Sequence, residues 1–251
     1  MNEKFLNNPN LPENKVITVF ADVDDNALKS VFNELAIKVV NVTKNPLLDQ
    51  PVSKHADILA NYIGKTTFLV DKNQVGLCKF IDNNDGKTVL IDNIQSPYPN
   101  DCLLNFADIG DYIICNKSIL SEQIVKLLPK KEIIDVKQGY SKCSVCICKR
   151  NTVITDDNSI YNALLQYNNI NSLLIEKGSV RINKYDYGFI GGCCGLIDKD
   201  LLLFNGDLST HSDFDKIQKF LYDNNIKYID IKGKPLTDIG SIIPITEKDG
   251  E

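Results

Sequence analysis

The chain has no tryptophan, one methionine and two histidines among its 251 residues, and it has no long apolar run. No apolar stretch approaches the roughly 20 residues that cross a bilayer, and the first ten residues lack the apolar core of an export signal. The formal charge of -5 gives no basic excess of the kind that nucleic-acid-binding domains carry. We therefore expect a soluble, cytoplasmic protein with neither a nucleic-acid nor a membrane partner.

The eight cysteines occur without an export signal, so we expect reduced thiols, most of them buried as small apolar residues. Cys143, Cys146 and Cys148 lie in one short run, and Cys193 and Cys194 are adjacent. The run has the pattern of a strand on which Cys143 faces away from the other two. No second Cys-x-x-Cys and no nearby histidine supports a zinc or iron–sulfur site. The sequence therefore predicts no metal site and no cofactor.

One structural unit recurs along the chain with variation. It consists of two short apolar strands joined by a polar turn, an Asp/Asn-rich corner, an amphipathic helix and a further apolar strand. The clearest copies begin at Cys143 and at Gly192. A period of roughly 40–50 residues is typical of propeller-like arrays, but the helix in each unit distinguishes this chain from an all-β propeller, whose blades have four strands. We count about five units, the first of which lacks its opening strand.

The last apolar segment, Gly240-Ser-Ile-Ile-Pro-Ile245, is not followed by a helix. We predict that it pairs with the incomplete first unit, which begins at Val16, and so closes a ring. Residues 1–14 would form a polar arm ahead of that unit. The sequence thus predicts an α/β fold in which residues 1–251 form a single domain of five modules, a β/α propeller with pseudo-five-fold repeats around a central pocket.

Four runs carry a resemblance to known proteins. They are Gly139-Tyr-Ser-Lys-Cys-Ser-Val-Cys146, Gly191-Gly-Cys-Cys-Gly195, Asn205-Gly-Asp-Leu-Ser-Thr-His211 and Leu236-Thr-Asp-Ile-Gly-Ser-Ile-Ile-Pro244. Together with the module order, they resemble an uncharacterised bacterial family with the pentein fold of guanidino-group-modifying enzymes: arginine and agmatine deiminases, dimethylargininases and amidinotransferases. That resemblance covers nearly the whole chain, whereas the likeness to the enzymes themselves is one of fold. It implies a small-molecule ligand, cationic and of guanidino or amine type.

The resemblance to the enzymes implies a cysteine nucleophile on the closing strand, a histidine in a His-x-Asp/Glu context and carboxylates that hold the cationic substrate. Here Gly240 or Ser241 stands where the thiol is expected. A serine at that position needs an activating base, because an unassisted hydroxyl is a poor nucleophile at neutral pH. Standard deiminase or amidinotransferase chemistry is therefore not expected, and the sequence leaves open whether the protein is an enzyme.

Both histidines lie in His-x-Asp elements, His55-Ala-Asp57 and His211-Ser-Asp213. On a strand, His55 and Asp57 would share one face, which suits an acid/base or cation-binding pair; a loop end and a turn cap are the alternative explanation. His211 lies beside Asp207 between a corner and a helix start, where it has either a functional role or a solvent-facing one.

Cys194 is the alternative thiol, because Gly191-Gly192 before it would allow close backbone approach. Adjacent strand residues point to opposite faces, so at most one of Cys193 and Cys194 faces the axis, and packed core cysteines remain the competing interpretation. Asp238 precedes the closing strand and would face the axis. The candidate catalytic residues are His55, His211 and Cys194, and the candidate ligand-binding residues are Asp57, Asp207 and Asp238.

Two functional hypotheses follow. The first is a small-molecule-binding pentein-fold protein, resembling a hydrolase or amidinotransferase if it is catalytic, for a cationic guanidino or amine compound. The second is a non-catalytic pentein scaffold that binds a protein or a metabolite. The sequence does not indicate the oligomeric state.

Overall fold

The computed structural model describes residues 2–250, so Met1 and Glu251, the ends of the predicted domain, lie outside the described residues. The strands are β1 (Glu3–Phe5), β2 (Val16–Ala21), β3 (Lys38–Asn41), β4 (Ala60–Tyr62), β5 (Thr67–Asp71), β6 (Lys87–Ile91), β7 (Ala107–Asp108), β8 (Tyr112–Cys115), β9 (Glu132–Asp135), β10 (Val145–Lys149), β11 (Thr152–Thr155), β12 (Asn171–Leu174), β13 (Cys194–Asp198), β14 (Leu201–Phe204), β15 (Lys227–Asp230) and β16 (Ile243–Lys248). The helices are α1 (Asn26–Glu34), α2 (Ala56–Leu59), α3 (Val75–Asn83), α4 (Glu122–Leu127), α5 (Asn158–Leu164) and α6 (Phe214–Asp223), with 3₁₀ turns at Gly191–Cys193 and Leu208–Thr210.

These strands form five small sheets. Four of the sheets contain three consecutive strands: β4-β5-β6, β7-β8-β9, β10-β11-β12 and β13-β14-β15. In each of them the first two strands are antiparallel and the third is parallel to the second. A helix (α3, α4, α5 or α6) crosses from the second strand to the third. The predicted unit is therefore present four times, and we number these modules 2 to 5 in chain order.

Module 1 is completed by the end of the chain. Strand β16 pairs antiparallel with β2, with Ile243 opposite Phe20, and β2 pairs in parallel with β3. The prediction that the last strand returns to the incomplete first unit is confirmed. The N-terminal segment that was expected to be a polar arm also contributes a strand, β1, which pairs with β16 and places Phe5 opposite Thr246.

Four of the crossing helices bury an apolar stripe of two residues, because side chains four residues apart share a helix face, whereas α4 buries Ile124 alone. The buried pairs are Leu28 and Phe32 in α1, Leu77 and Ile81 in α3, Ile160 and Leu164 in α5, and Ile217 and Leu221 in α6. Burying a side chain of this size contributes about 1.5–3 kcal/mol. Within residues 2–250, none of the helices has both the length and the apolar character needed to span a membrane.

Three buried apolar clusters join neighbouring modules. The first extends over modules 1, 2 and 3, and the second over modules 3, 4 and 5. The third joins module 5 back to module 1, with Leu203 of β14 packed in the same cluster as Val19 of β2. Contacts therefore run through the modules in chain order and return to the start, as the predicted ring requires.

Candidate functional site

The turns that precede the inner strands meet at one point. The residue two positions before β7, β10, β13 and β16 is Asn105, Cys143, Gly192 and Ser241, respectively. The Asn105 amide donates to the Cys143 sulfur (3.4 Å), the Gly192 N–H donates to the Cys143 carbonyl (2.9 Å), and the Ser241 N–H donates to the Gly192 carbonyl (2.8 Å). Modules 3, 4, 5 and 1 thus contribute equivalent positions to one cluster.

Module 2 contributes His55 and Asp57 to the same cluster. The prediction that they lie on a strand was wrong, because His55 precedes the one-turn helix α2 and Asp57 lies within it. The turn is held by the closing segment, since the Asp57 N–H donates to the Gly240 carbonyl at 3.0 Å. The ligand atoms of His55, Asp57 and Cys143 nevertheless lie within 4.8 Å of one another.

Asp57 is a fully buried carboxylate. Its Oδ2 accepts hydrogen bonds from the Ser241 hydroxyl (2.6 Å) and from the Cys143 thiol (2.9 Å), whereas its Oδ1 has no hydrogen-bond partner among residues 2–250. Burial raises the pKa of Asp57. A buried polar atom without a hydrogen-bond partner destabilises the folded state, so the cluster around this oxygen lowers the stability of the protein.

Asp238 lies beside this cluster. Its two oxygens accept the N–H groups of Phe189 (2.9 Å) and Gly240 (2.9 Å), and burial raises its pKa to about 6. The Nδ1 of His55 lies 3.7 Å from Asp238 Oδ1, which is beyond hydrogen-bond distance. Burial also lowers the pKa of His55, so the imidazole is neutral at neutral pH.

Two glycines allow this close packing. A Cβ at position 192 would lie 2.1 Å from Asp238 Oδ1, and a Cβ at position 240 would lie 2.3 Å from the Cα of His55. Gly240 also has φ +74°, a conformation that residues with a Cβ rarely adopt. The close approach predicted for Gly191-Gly192 is therefore present: the Asp238 carboxylate approaches Gly192, and the backbone of Val145 approaches Gly191.

Ser241 stands where the resemblance to the enzymes implies a thiol. Its Oγ is fully buried and lies 2.6 Å from Asp57 Oδ2 and 2.9 Å from the Gly191 carbonyl, and the Lys142 ammonium donates to it at 3.1 Å. Lys142 is in contact with the Ser241 hydroxyl, but that hydroxyl is directed toward Asp57. Ser241 also does not line the cavity that opens above the cluster. Its contacts are those of a residue that fixes Asp57 in place.

A cavity of about 290 Å³ opens above the cluster. His55, Cys143 and Asp238 line it together with a set of aromatic and apolar residues: Val52, Ile58, Tyr140, Ile182, Tyr185, Tyr187 and Phe189. The rings of Tyr140 and Phe189 pack with their centroids 6.2 Å apart. A concave, largely apolar site with a few polar groups is the usual form of a small-molecule site.

Cys143 is the thiol in this cavity, and it was not among the candidates predicted from the sequence. It was placed on a strand, but the strand β10 begins at Val145, and residues 141–144 form turns in which the Ser144 N–H donates to the Tyr140 carbonyl at 3.0 Å. Burial and the neighbouring Asp57 raise the pKa of the Cys143 thiol. The signal that identifies Cys143 is its position in the repeat. It lies two residues before an inner strand, the same position that Ser241 has before β16.

Cys194 lies apart from the cavity. It begins β13, is buried in the second apolar cluster, and its thiol points to the Ile190 carbonyl at 3.3 Å. The Cys193 thiol lies 3.1 Å from the same carbonyl, and Cys146 and Cys148 have their sulfurs 3.7 Å apart. These contacts are those of packed core cysteines, the interpretation that competed with a catalytic thiol.

His211 and Asp207 lie at the corner of module 5. Asp207 accepts the Ser209 N–H at the start of a 3₁₀ turn (3.0 Å) and contacts Lys232 (3.2 Å), while the His211 Nδ1 accepts the Asp213 N–H (3.0 Å). Neither residue lines the cavity. Of the six candidates from the sequence, the structure brings together His55, Asp57 and Asp238 and leaves His211, Asp207 and Cys194 elsewhere.

Solved structures match this chain over nearly its whole length at low sequence identity. An inosamine-phosphate amidinotransferase from Streptomyces griseus has a TM-score of 0.61 and 9% identity and covers 98% of both chains. A Cys-to-Ser variant of C. jejuni agmatine deiminase with substrate bound has a TM-score of 0.59 and 10% identity and covers 100% of this chain and 98% of that one. A Cys-to-Ser variant of DDAH from Pseudomonas aeruginosa, complexed with citrulline, has a TM-score of 0.52 and 9% identity and covers 94% of this chain and 100% of that one.

At such low identity these likenesses show the fold alone, and the predicted α/β fold of pentein type is confirmed. Residues 20–243 match a family of unknown function, DUF6873. The chain belongs to this family. Among curated proteins no match is found.

Asp156, whose carboxylate lies against the backbone of Ile190, supplies a stability test. Its Oδ2 accepts the Ile190 N–H (3.1 Å), its Oδ1 is buried without a partner among the described residues, and burial raises its pKa to about 7. Between pH 4 and 7 the native state therefore holds a proton that the unfolded state has released, so raising the pH lowers stability. We expect the free energy of unfolding of wild type, relative to Asp156→Asn, to fall across this range by up to about 1.4 kcal/mol per pH unit.

Urea unfolding at intervals between pH 4.5 and 8 measures this difference. The exposed Asp215 offers a control for the substitution itself, because Asp215→Asn removes a carboxyl group that is not buried. A wild-type to Asp156→Asn difference that stays constant or grows with pH would contradict the assignment of a buried, protonated Asp156.

Proposed function

We propose that the cavity binds a small cationic compound bearing a guanidino or amine group, and that Asp238 holds the cationic end. The observation that carries this proposal is the environment of Asp238, a buried carboxylate that lines an aromatic-walled cavity. Among the described residues, no lysine or arginine nitrogen lies within 4.0 Å of it, and its one basic neighbour at that range is the neutral His55. A buried carboxylate without a cationic partner is a site for a ligand of opposite charge.

The charges around the cavity floor favour a cation. Asp57 and Asp238 are both buried there, and one ammonium, that of Lys142, lies near them with its hydrogen bond directed to Ser241. The floor therefore carries more negative than positive charge when both carboxyl groups are ionised. The rings of Tyr140 and Phe189 add faces against which a guanidinium or ammonium is attracted.

The structural neighbours support a small-molecule ligand for this fold. They include an amidinotransferase, an agmatine deiminase with substrate bound and a DDAH complexed with citrulline. Because the sequence identity to these proteins is about a tenth, the likeness bears only on the kind of molecule that the fold accommodates. The proposal for this chain depends on Asp238 and the cavity.

A matched pair of compounds tests the proposal. 1-Butylguanidine and 1-butylurea have nearly the same size and shape, but the first is a cation and the second is neutral. We expect the guanidine to bind at least about tenfold more tightly at pH 8, a difference of about 1.4 kcal/mol, as measured by isothermal titration calorimetry. If 1-butylguanidine, agmatine and putrescine all fail to bind, the proposal is wrong, and the non-catalytic scaffold with another partner becomes the better hypothesis.

The affinity for 1-butylguanidine should depend on pH in a defined direction. Burial raises the pKa of Asp238 to about 6, so this carboxyl group is ionised at pH 8 and largely protonated at pH 5, whereas a guanidinium stays charged throughout. Affinity should therefore fall as the pH drops through about 6. Calorimetry from pH 5 to pH 8 measures the change, and 1-butylurea should bind with nearly constant affinity. An affinity that rises toward pH 5 would contradict the role of Asp238.

Hydrolysis of the bound group is a second candidate function, favoured by one observation. The Cys143 thiol lines the cavity, donates to Asp57 at 2.9 Å and has the neutral His55 beside it. Release of ammonia or urea from guanidino compounds, and labelling by a haloacetamidine thiol probe, would support it. Both signals should disappear in Cys143→Ser and persist in Cys194→Ser. Absence of product and of labelling in wild type would restrict the function to binding.

A further inference from the structure

We propose that His55, Asp57 and Cys143 form a binding site for a transition metal of the zinc class on the floor of the cavity. A ring nitrogen, a carboxylate oxygen and a thiol sulfur lie within 4.8 Å of one another, and all three residues are buried. Nitrogen, oxygen and sulfur donors of these types are the ligands that Zn²⁺ takes in proteins. Three protein ligands with a further position open is the arrangement of catalytic rather than structural zinc sites.

Two unpartnered atoms support the site independently of this proximity. Among residues 2–250, the Nδ1 of His55 and the Oδ1 of Asp57 are buried side-chain atoms that have no hydrogen-bond partner. The two side chains belong to residues that are 4% and 0% exposed. A metal ion that takes lone pairs from this pair of residues would remove the cost of leaving such atoms unpaired.

Neighbouring residues hold the three ligands in place. The Ser241 hydroxyl donates to Asp57 Oδ2 at 2.6 Å. The Asn105 Oδ1 accepts the N–H groups of Lys142 (2.8 Å) and Cys143 (3.1 Å) and so fixes the turn that carries the thiol. The turn that carries His55 and Asp57 is tied to the closing segment, because the Asp57 N–H donates to the Gly240 carbonyl at 3.0 Å. Partners that orient the ligands in this way are a regular feature of metal sites in proteins.

The charge of the cluster also suits a divalent cation. A carboxylate from Asp57 and a thiolate from Cys143 would balance a 2+ ion. Metal binding requires that the thiol release its proton. The opposing feature is Lys142 itself, whose positive charge disfavours a nearby cation, although its ammonium is directed to Ser241 at 3.1 Å.

This inference goes beyond cation binding at Asp238, because Asp238 is not one of the three ligands. His55 and Cys143 both line the cavity, so a metal held by them would be accessible to a ligand there. It also competes with the second candidate function, since a thiolate bound to a metal is not free to act as a nucleophile. No metal site was predicted from the sequence, because Cys143 was considered as a ligand together with Cys146 and Cys148 and not together with residues of module 2.

Titration of metal-free protein with Co²⁺ tests the site. We expect a thiolate-to-cobalt charge-transfer band in the near ultraviolet that saturates at one equivalent and is displaced by Zn²⁺. Cys143→Ser should abolish the band, and the matched variant Cys146→Ser should retain it. Asp57→Asn and His55→Gln should each weaken cobalt affinity at least about tenfold, which is the effect that loss of even an outer partner of a metal ligand has.

Two results would overturn the proposal: absence of the band in wild-type protein, or a band that survives in Cys143→Ser. If Cys143→Ser does not fold, as judged by circular dichroism, alkylation of the wild type replaces it. Zn²⁺ should then protect Cys143 from iodoacetamide, as mapped by mass spectrometry, and equal alkylation with and without Zn²⁺ would refute the site. Neither readout involves a guanidino or amine compound, so failure of the metal site would leave the proposal for Asp238 to its own test.

Discussion

Replacing Asp238 by asparagine should weaken the binding of 1-butylguanidine by about 10- to 100-fold. Hydrogen bonds to charged groups contribute about 1.5–3 kcal/mol each, and a factor of ten corresponds to 1.4 kcal/mol. Asparagine keeps the size of the side chain but removes the negative charge. Its amide nitrogen would also face one of the two N–H donors, from Phe189 and Gly240, that now point at carboxylate oxygens. Calorimetry at pH 8 measures the loss.

Asp207 provides the control for this substitution. It is also a carboxylate that accepts backbone N–H groups, from Ser209 and Gly233, but it lies at the corner of module 5 and does not line the cavity. Asp207→Asn should leave the affinity for 1-butylguanidine unchanged. If Asp207→Asn reduces affinity and Asp238→Asn does not, the cation site lies at that corner and the cavity has another role.

Replacing Gly240 by alanine should lower the free energy of unfolding by about 2–5 kcal/mol. The new methyl group would lie 2.3 Å from the Cα of His55, and overpacking of a buried site costs about 1–3 kcal/mol. The backbone at position 240 also has φ +74°, where a residue with a Cβ pays a further cost of about 1–2 kcal/mol. Urea denaturation measures the sum.

Gly233→Ala separates these two contributions. Gly233 has nearly the same backbone angle, φ +72°, but an added Cβ there would meet nothing within 4 Å. We therefore expect a loss of about 1–2 kcal/mol for Gly233→Ala, from the backbone term alone. Equal losses in the two variants would show that the turn carrying His55 is not held tightly against the closing segment.

The module architecture was predictable because it depends on local patterns. Apolar strands, turn residues and helix caps occur within each repeat; for example, Asp25 accepts the Ala27 and Leu28 N–H groups at the start of α1, as expected of the acidic corner before that helix. The missing opening strand of module 1 and the surplus strand at the end of the chain were both visible in the sequence. Strand β1 was not, since Glu3–Phe5 is short and is a strand because it pairs with β16.

The candidate site was predictable only in part, because contacts distant in the chain shape it. The turn that carries Asp57 is tied to the closing segment through the Gly240 carbonyl, and nothing near position 57 in sequence reveals this. Cys143 was misplaced because the strand begins two residues later than its apolar pattern suggests. His211 and Asp207 had the residue types of a site, but their contacts with Asp213 and Ser209 are local.

The most direct test of the central claim, that the cavity is a cation-binding site, is a crystal structure of the protein soaked with 1-butylguanidine. We expect guanidinium nitrogens within hydrogen-bond distance of the Asp238 carboxylate and the butyl chain against Tyr140 and Phe189, which line the same cavity. Density for the compound at the Asp207 corner, or outside the cavity lined by His55, Cys143 and Asp238, would contradict it.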